Sequence, residues 1–358
     1  MKLFLCDCPQ QNPLFFDSVV CNICSRLVGY CPEESQLHTF DPGPEEGTWK
    51  SAQSPLLWRQ CENYSVHQVC NWMVSADDPN PLCRACRLND VIPDLNGPLN
   101  LEYWRKIEQA KRHALYTVLT LDLPLSSKHE DSELGLLFRF MTDHEPASEF
   151  TEPLDGQPPI FTGHDDGEIT INLAEADDVA RTRTRIKLGE AYRTLLGHFR
   201  HEIGHYYWFR LIENSETHLQ AFRELFGDEN LDYATALQHH YEVGAPLDWA
   251  DSYISPYASM HPWEDWAECW AHYMHMLDTM ETAAAFQLHL GSPIPSVELP
   301  QTHRDKDSIA TLLSDWMRLA VGINALNRSM GMPDPYPFVI NGAVQKKIQW
   351  IHSVIVGE

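Results

Sequence analysis

Nine of the ten cysteines in this 358-residue chain fall within its first 86 residues, at Cys6, Cys8, Cys21, Cys24, Cys31, Cys61, Cys70, Cys83 and Cys86. So dense an array admits two kinds of fold: a disulfide scaffold in an oxidising compartment, or a metal-nucleated one in a reducing compartment. The opening MKLFLCDCPQ has one lysine and three consecutive apolar residues before the cysteines, too little for a secretory signal. Metal-bound thiolates in a reducing, cytoplasmic setting are therefore expected.

Spacing sorts these cysteines into two groups. Cys6 and Cys8 form C-D-C, and twelve residues later Cys21 and Cys24 form C-N-I-C; Cys61 and Cys70 precede C-R-A-C at Cys83 and Cys86. Four thiolates complete the tetrahedron of a zinc ion and leave no position for water, so two structural zincs are expected. A region this small lacks the core to fold alone, and metal binding then contributes its folding free energy. Cys31 is a spare that could replace Cys6 or Cys8. Between the first knuckles, PLFFDSVV is apolar and β-branched enough for ribbon strands. HTFDPGPEEGTWKSAQSP, rich in Pro, Gly and acids, reads as a loop. The connector RLNDVIPDLNGPLN sets a boundary near residue 97, giving a zinc-ribbon region over 1–96 and a second domain over 97–358.

Charge narrows the function classes. Lys and Arg number 26 against 51 Asp and Glu, a net −25, and residues 1–95 alone hold six basic against twelve acidic residues. Such a field repels nucleic acid and anionic membranes, and no window approaches the roughly 18–20 apolar residues of a membrane span. The densest basic run, R-T-R-T-R-I-K at 181–187, reads as a solvated face. A protein partner, rather than nucleic acid, is expected at the ribbons.

The second constraint is LLGHFRHEIGHYYWFR, Leu195 to Arg210, which contains H-E-x-x-H as His201, Glu202 and His205. In a helix, residues four apart share a face, so both imidazoles can reach one metal ion. Glu202 then projects beside that ion, placed to take a proton from water. Leu195, Leu196, Phe199, Ile203 and Tyr206 recur at helical spacing, no proline interrupts 191–210, and Gly204 costs about 1 kcal/mol. A zinc hydrolase needs a third protein ligand and one open position. Position 208 is Trp and position 211 is Leu, which excludes a glycine–histidine continuation of the motif. His239 and His240, on an expected helix LDYATALQHHY, are rival candidates; being adjacent, at most one could join. The stronger source is YISPYASMHPWEDWAECWAHYMH, where Glu264 and Glu268 sit four apart among tryptophans on a helix begun at Pro262. One carboxylate can ligate while the other orients a metal-binding imidazole.

Elsewhere, Leu99–Thr120 reads as a helix with Asn100 as N-cap, and Gly135–Met141 and Glu168–Asp177 read as strands. The second strand precedes the H-E-x-x-H helix, where an edge strand could pair with an extended substrate. Asp143–Pro159 reads as a loop, and 307–329 and 343–355 as core-completing helices.

H-E-x-x-H followed by E-x-x-x-E on a later helix resembles the gluzincin metalloproteases. More closely, the chain resembles a bacterial zinc-binding metallopeptidase family that carries an N-terminal zinc-ribbon region. The likeness rests on C-x-C…C-x-x-C followed by LVGY, on CNWMV…LCRACRLNDVIPDL, on RTLLGHFRHEIGHYYW and on ISPYASMHPWEDWAECWAHY. It implies an α+β fold: a mostly helical zincin-like domain with a small sheet, preceded by the cysteine-rich region. By that resemblance His201, His205 and Glu264 are zinc ligands, Glu202 is the general base and Glu268 supports the ligands from behind. Tyr257 is the candidate for oxyanion stabilisation, with Tyr253 in reserve. One catalytic and two structural zincs acting on the amide bonds of a peptide or protein follow. The alternative is a non-catalytic, zinc-stabilised interaction module.

Overall fold

The computed structural model describes residues 1–142, 162–188, 194–288 and 306–357, with backbone only at 184–188 and 306–308. The expected loop at Asp143–Pro159 lies outside the described residues. Helices and sheets are both present, and the chain forms two compact units, Met1–Arg181 and Thr182–Glu358. No described helix is long and apolar enough to cross a membrane.

The first unit is built from short strands. β1 (Phe4–Leu5) and β2 (Pro13–Leu14) pair as a minimal hairpin that carries Cys6 and Cys8 in its loop. A five-stranded antiparallel sheet follows in chain order: β3 (Leu27–Cys31), β4 (Gln36–Pro42), β5 (Thr48–Lys50), β6 (Leu57–Gln60) and β7 (Met73–Ser75). The one-turn helix α1 (Glu62–Ser65) lies between β6 and β7. The stretch from His38 read as a loop thus holds the end of β4 and all of β5 with turns between and after them, and β4 forms because it is buried on both faces. Leu37 and Thr39 on one side of β4 and His38 and Phe40 on the other are all buried, so polar residues take interior positions that composition does not reveal. The ribbon strands expected in PLFFDSVV reduce to Pro13–Leu14.

The rest of this unit is a four-stranded sheet and a long helix. β8 (Asn89–Val91), β9 (Leu137–Met141), β10 (Gly163–Asp165) and β11 (Glu168–Asn172) are ordered β10-β11-β9-β8, parallel except where β10 meets β11. β11 is paired on both sides, which corrects the expectation of an edge strand there. The helix α2 (Asn100–Thr120) is preceded by Leu99. Asn100 is its first residue and donates its side chain to the Asp94 carbonyl at 2.8 Å instead of capping. On the apolar face of α2, Glu108 and Lys111 form a fully buried ion pair at 2.9 Å. Asn89 Nδ2 and Trp104 Nε1 both donate to Glu108, which completes its hydrogen bonding. α3 (Asp178–Leu188) carries the R-T-R-T-R-I-K run.

The second unit is helical: α4 (Leu195–Trp208), α5 (Glu216–Phe226), α6 (Tyr233–Val243), α7 (Pro262–Ala285), α8 (Lys306–Ser329) and α9 (Gly342–Val356). Thr194 caps α4 by accepting from Gly197 N, and His261 caps α7 with Pro262 in its first turn. Leu195, Phe199, Ile203 and Tyr206 are buried on one face of α4, and Trp266, Trp270 and Trp316 fill the core. Gly204 permits the close approach of α4 and α7: a Cβ there would stand 3.1 Å from Ala267 Cα and 3.1 Å from Trp270 Cδ1. Trp266 Nε1 donates to the Gly204 carbonyl at 2.8 Å across the same contact. Behind the contact, Lys347 of α9 pairs with the fully buried Asp265 at 2.6 Å. Burial raises the Asp265 carboxyl to about 6 even with that ammonium beside it.

Candidate metal centres

The structure brings the eight expected cysteines into two quartets, Cys6–Cys8–Cys21–Cys24 and Cys61–Cys70–Cys83–Cys86, with the sulfurs of each within 4.8 Å of one another. Thiolates bound at the usual zinc–sulfur distance to a tetrahedral ion stand about 3.8 Å apart. Cys6 and Cys24 are 3.6 Å apart and Cys70 and Cys83 are 3.8 Å apart. A disulfide needs about 2.05 Å, and all ten cysteines are free. Backbone N–H groups point at the sulfurs: Cys8 N at Cys6, Trp72 N at Cys70 and Cys83 N at Cys61, at 3.4, 3.3 and 3.3 Å. Arg26, itself paired with Asp7, donates to Cys24 Sγ at 3.4 Å. Burial pushes the Cys6 thiol up to about 12. Burial acts the same way on Cys70, but hydrogen bonds from its three partner thiols and the Arg112 charge outweigh it and hold Cys70 well below the usual range. Cys31 joins neither quartet; it stands with Glu34 and His38.

The second unit supplies a different centre. His201 and His205 share one face of α4, and Glu264 faces them from α7. His201 Nε2 lies 2.9 Å from Glu264 Oε2 and 3.2 Å from His205 Nε2, and His205 Nε2 lies 3.5 Å from Glu264 Oε1. Ligands about 2.0–2.1 Å from a tetrahedral zinc stand roughly 3.3 Å apart, so the three donors fit that ion. Two imidazoles and a carboxylate leave one coordination position open.

His201 is held from behind. Glu268, one turn beyond Glu264, accepts from His201 Nδ1 at 2.9 Å and so leaves Nε2 turned toward the centre. Its other oxygen accepts from Ser255 Oγ at 2.7 Å. Burial disfavours a charged His201, but the hydrogen bonds and charges of Glu264 and Glu268 prevail and raise its pKa well above the ordinary value. Against the same burial, His205 and His201 hold Glu264, 2% exposed, well below the usual carboxylate range. Glu202 is buried on α4, close enough to Tyr233 for its charge to act on that hydroxyl.

The tyrosines divide. The Tyr257 ring lies 6.1 Å from that of His201, and burial, Glu264 and hydrogen bonding to Tyr233 push its hydroxyl well up. Tyr253 instead receives the Lys347 ammonium over its ring at 4.6 Å. Tyr233, unflagged by the sequence, donates its hydroxyl to Glu264 Oε1 at 2.8 Å. It belongs to α6, the helix that also carries His239 and His240. Neither of those joins a metal-capable group among the described residues, although the His240 ring lies 5.8 Å from that of Tyr257.

Two thiolate quartets and a His–His–Glu set are thus groups able to hold a metal ion. Residues 100–354 match the family model described as "Putative zinc-binding metallo-peptidase", and the chain belongs to that family. Residues 3–97 match a zinc-ribbon domain model. Uncharacterized proteins of Mycobacterium tuberculosis and Mycobacterium bovis are each 41% identical over 357 residues, covering 99% of this chain and 95% of their own length. No solved structure matches the chain.

Proposed function

We propose that the chain is a zinc-dependent peptidase of gluzincin type that hydrolyses amide bonds of a peptide or protein, with residues 97–358 forming its zincin-like domain and 1–96 a region built on two structural zincs. The observation that carries this reading is the meeting of His201 Nε2, His205 Nε2 and the Glu264 carboxylate within 4.8 Å, with Glu202 on the same helix as the imidazoles. Zinc bound there supplies Lewis acidity, polarising a carbonyl and bringing the pKa of water down to about 7.

The protein's own groups do the rest. Glu202 takes the proton of the attacking water and delivers it to the departing amine. Glu268 fixes the tautomer and direction of His201. The Tyr257 hydroxyl, kept protonated by its surroundings, donates to the oxyanion as charge develops. Zinc-bound thiolates on this reading belong to a reducing, cytoplasmic setting, and the zinc-ribbon region would meet a protein partner.

Glu202→Gln tests the reading. Peptide-library cleavage should fall by about 10²–10⁴-fold, while elemental analysis finds the wild-type zinc content. Full activity in this variant would overturn the mechanism. A His201→Ala, His205→Ala double variant should lower the count from about three zincs to about two; an unchanged count would favour a non-catalytic interaction module.

A further inference from the structure

We propose that Cys31, Glu34 and His38 form a further metal site that takes zinc reversibly. A sulfur, a carboxylate oxygen and an imidazole nitrogen of these residues lie within 4.8 Å of one another in the hairpin that joins β3 to β4. Cys31 ends β3 and pairs with Gln36, and Gly29 pairs with His38, so the thiol and the imidazole stand on one face of a rigid antiparallel ladder. Two successive turns, Glu34 N to Cys31 O at 3.2 Å and Ser35 N to Pro32 O at 3.3 Å, fold the Glu34 side chain back over that face. Ser35 completes the turn in the left-handed region, with φ 51°.

The donors are oriented from behind in the way ligands usually are. His38 Nε2 faces Glu34 Oε2 at 2.6 Å while its Nδ1 faces Gln53 Oε1 at 3.4 Å. The other Glu34 oxygen accepts from Ser54 Oγ at 2.7 Å, and Trp58 Nε1 bonds that hydroxyl at 3.1 Å. The direct imidazole–carboxylate contact repeats the one between His201 and Glu264. Cys31 is 0% exposed and His38 5%, so the donors lie below the surface, with Glu34 in the turn as their outer side.

A thiolate with an imidazole and one carboxylate suits zinc or cobalt rather than magnesium or calcium. Three protein donors leave a position for water. A single thiolate, which must release its proton to solvent from a buried position, makes this site weaker than either quartet. It would then exchange with free metal instead of copurifying in full.

The test is a Co²⁺ titration of the full-length chain with its quartets already zinc-loaded, reading the near-ultraviolet thiolate-to-cobalt band and released zinc together. Expected is a band that saturates at about one Co²⁺ per chain without zinc release. Cys31→Ser should lack the band at unchanged quartet zinc content, and His38→Gln should move its midpoint to at least about tenfold higher Co²⁺. The His201→Ala, His205→Ala variant should keep the band, which separates this site from the proposed peptidase centre. The proposal is overturned by the absence of a band, by an undiminished band in Cys31→Ser, or by a band that rises in step with zinc release, since cobalt would then be entering the quartets. Should Cys31→Ser fail to fold, an unshifted His38→Gln midpoint overturns it equally.

Discussion

The thiolate quartets and the His–His–Glu centre gather metal donors by opposite means. In the first unit the donors hang on turns and minimal strands; β1 and β2 have two residues each, and Cys61 merely opens a one-turn helix. Such pieces have no stability of their own. In the second unit the donors ride on helices of 14 and 24 residues locked by tryptophans. On the proposed reading the first arrangement would need its metal in order to fold, whereas the second is assembled by packing and offers its donors ready-made. That difference suits the proposed roles, since a catalytic centre benefits from preorganisation and a structural zinc substitutes for a core.

The largest effect that could break this contrast is metal removal. Structural zinc contributes roughly 10–16 kcal/mol in comparable small domains. Exhaustive chelation should therefore abolish hydrogen-exchange protection around both quartets while α4 and α7 keep theirs. Loss of protection in α4 and α7 to the same extent would mean that the second centre, too, is made by its metal.

Next is the packing that replaces metal in the second unit. Lys347→Met leaves Asp265 buried without its cation, a change that typically costs about 3–5 kcal/mol. Lys347 also donates to the Ser252 carbonyl at 2.8 Å, and that bond is lost with it. Exchange in α7 and α9 should accelerate accordingly, with zinc content in the quartets unchanged. A variant as stable as the parent would show that this pair carries none of the load under Glu264.

A smaller change probes the helix crossing itself. Gly204→Ala gains helix propensity of about 1 kcal/mol, but its methyl must displace the α7 backbone at Ala267 or the packed Trp270, and overpacking costs about 1–3 kcal/mol. The net expectation is a lower thermal midpoint, together with weaker zinc binding at His201 and His205 as α4 moves away from Glu264. A higher midpoint would show that the two helices have room to spare.

What could be read in advance follows from where each signal resides. His201 and His205 advertise themselves because their relation is local, one helical turn. Glu264 and Glu268 do so because tryptophans around them mark a packed helix. The quartets are legible for the same reason, each being two short cysteine pairs or arms. Tyr233 carried no signal: it is one tyrosine on a helix with no buried residues, and only the tertiary path of the chain brings its hydroxyl to Glu264. β4 was hidden because His38 and Thr39 are polar residues buried in a sheet, and β11 gave no hint that β9 would pair with it in parallel from a distant part of the chain. Local periodicity reports faces; it does not report partners.

The smallest effect sharpens the contrast from the acid side. Arg223 of α5 grips the Glu229 carboxylate with Nε, at 3.1 and 2.9 Å from its two oxygens, and with Nη2. That hydrogen bonding holds Glu229 below the ordinary Glu range against the opposing effect of burial. A carboxyl depressed in the folded state stabilises the fold above its unfolded pKa of about 4.3, and that contribution is lost as pH falls through the lower folded value. The Arg223 side chain is nearly half exposed, so solvent screening keeps the contribution of this pair small. In chelated protein, α5 should therefore exchange faster in Glu229→Gln than in the parent at pH 6, and the gap should narrow as pH falls below about 4.3. A gap that appears only with metal present would tie α5 to the metal instead, and the second unit would then owe its shape to zinc as the first does.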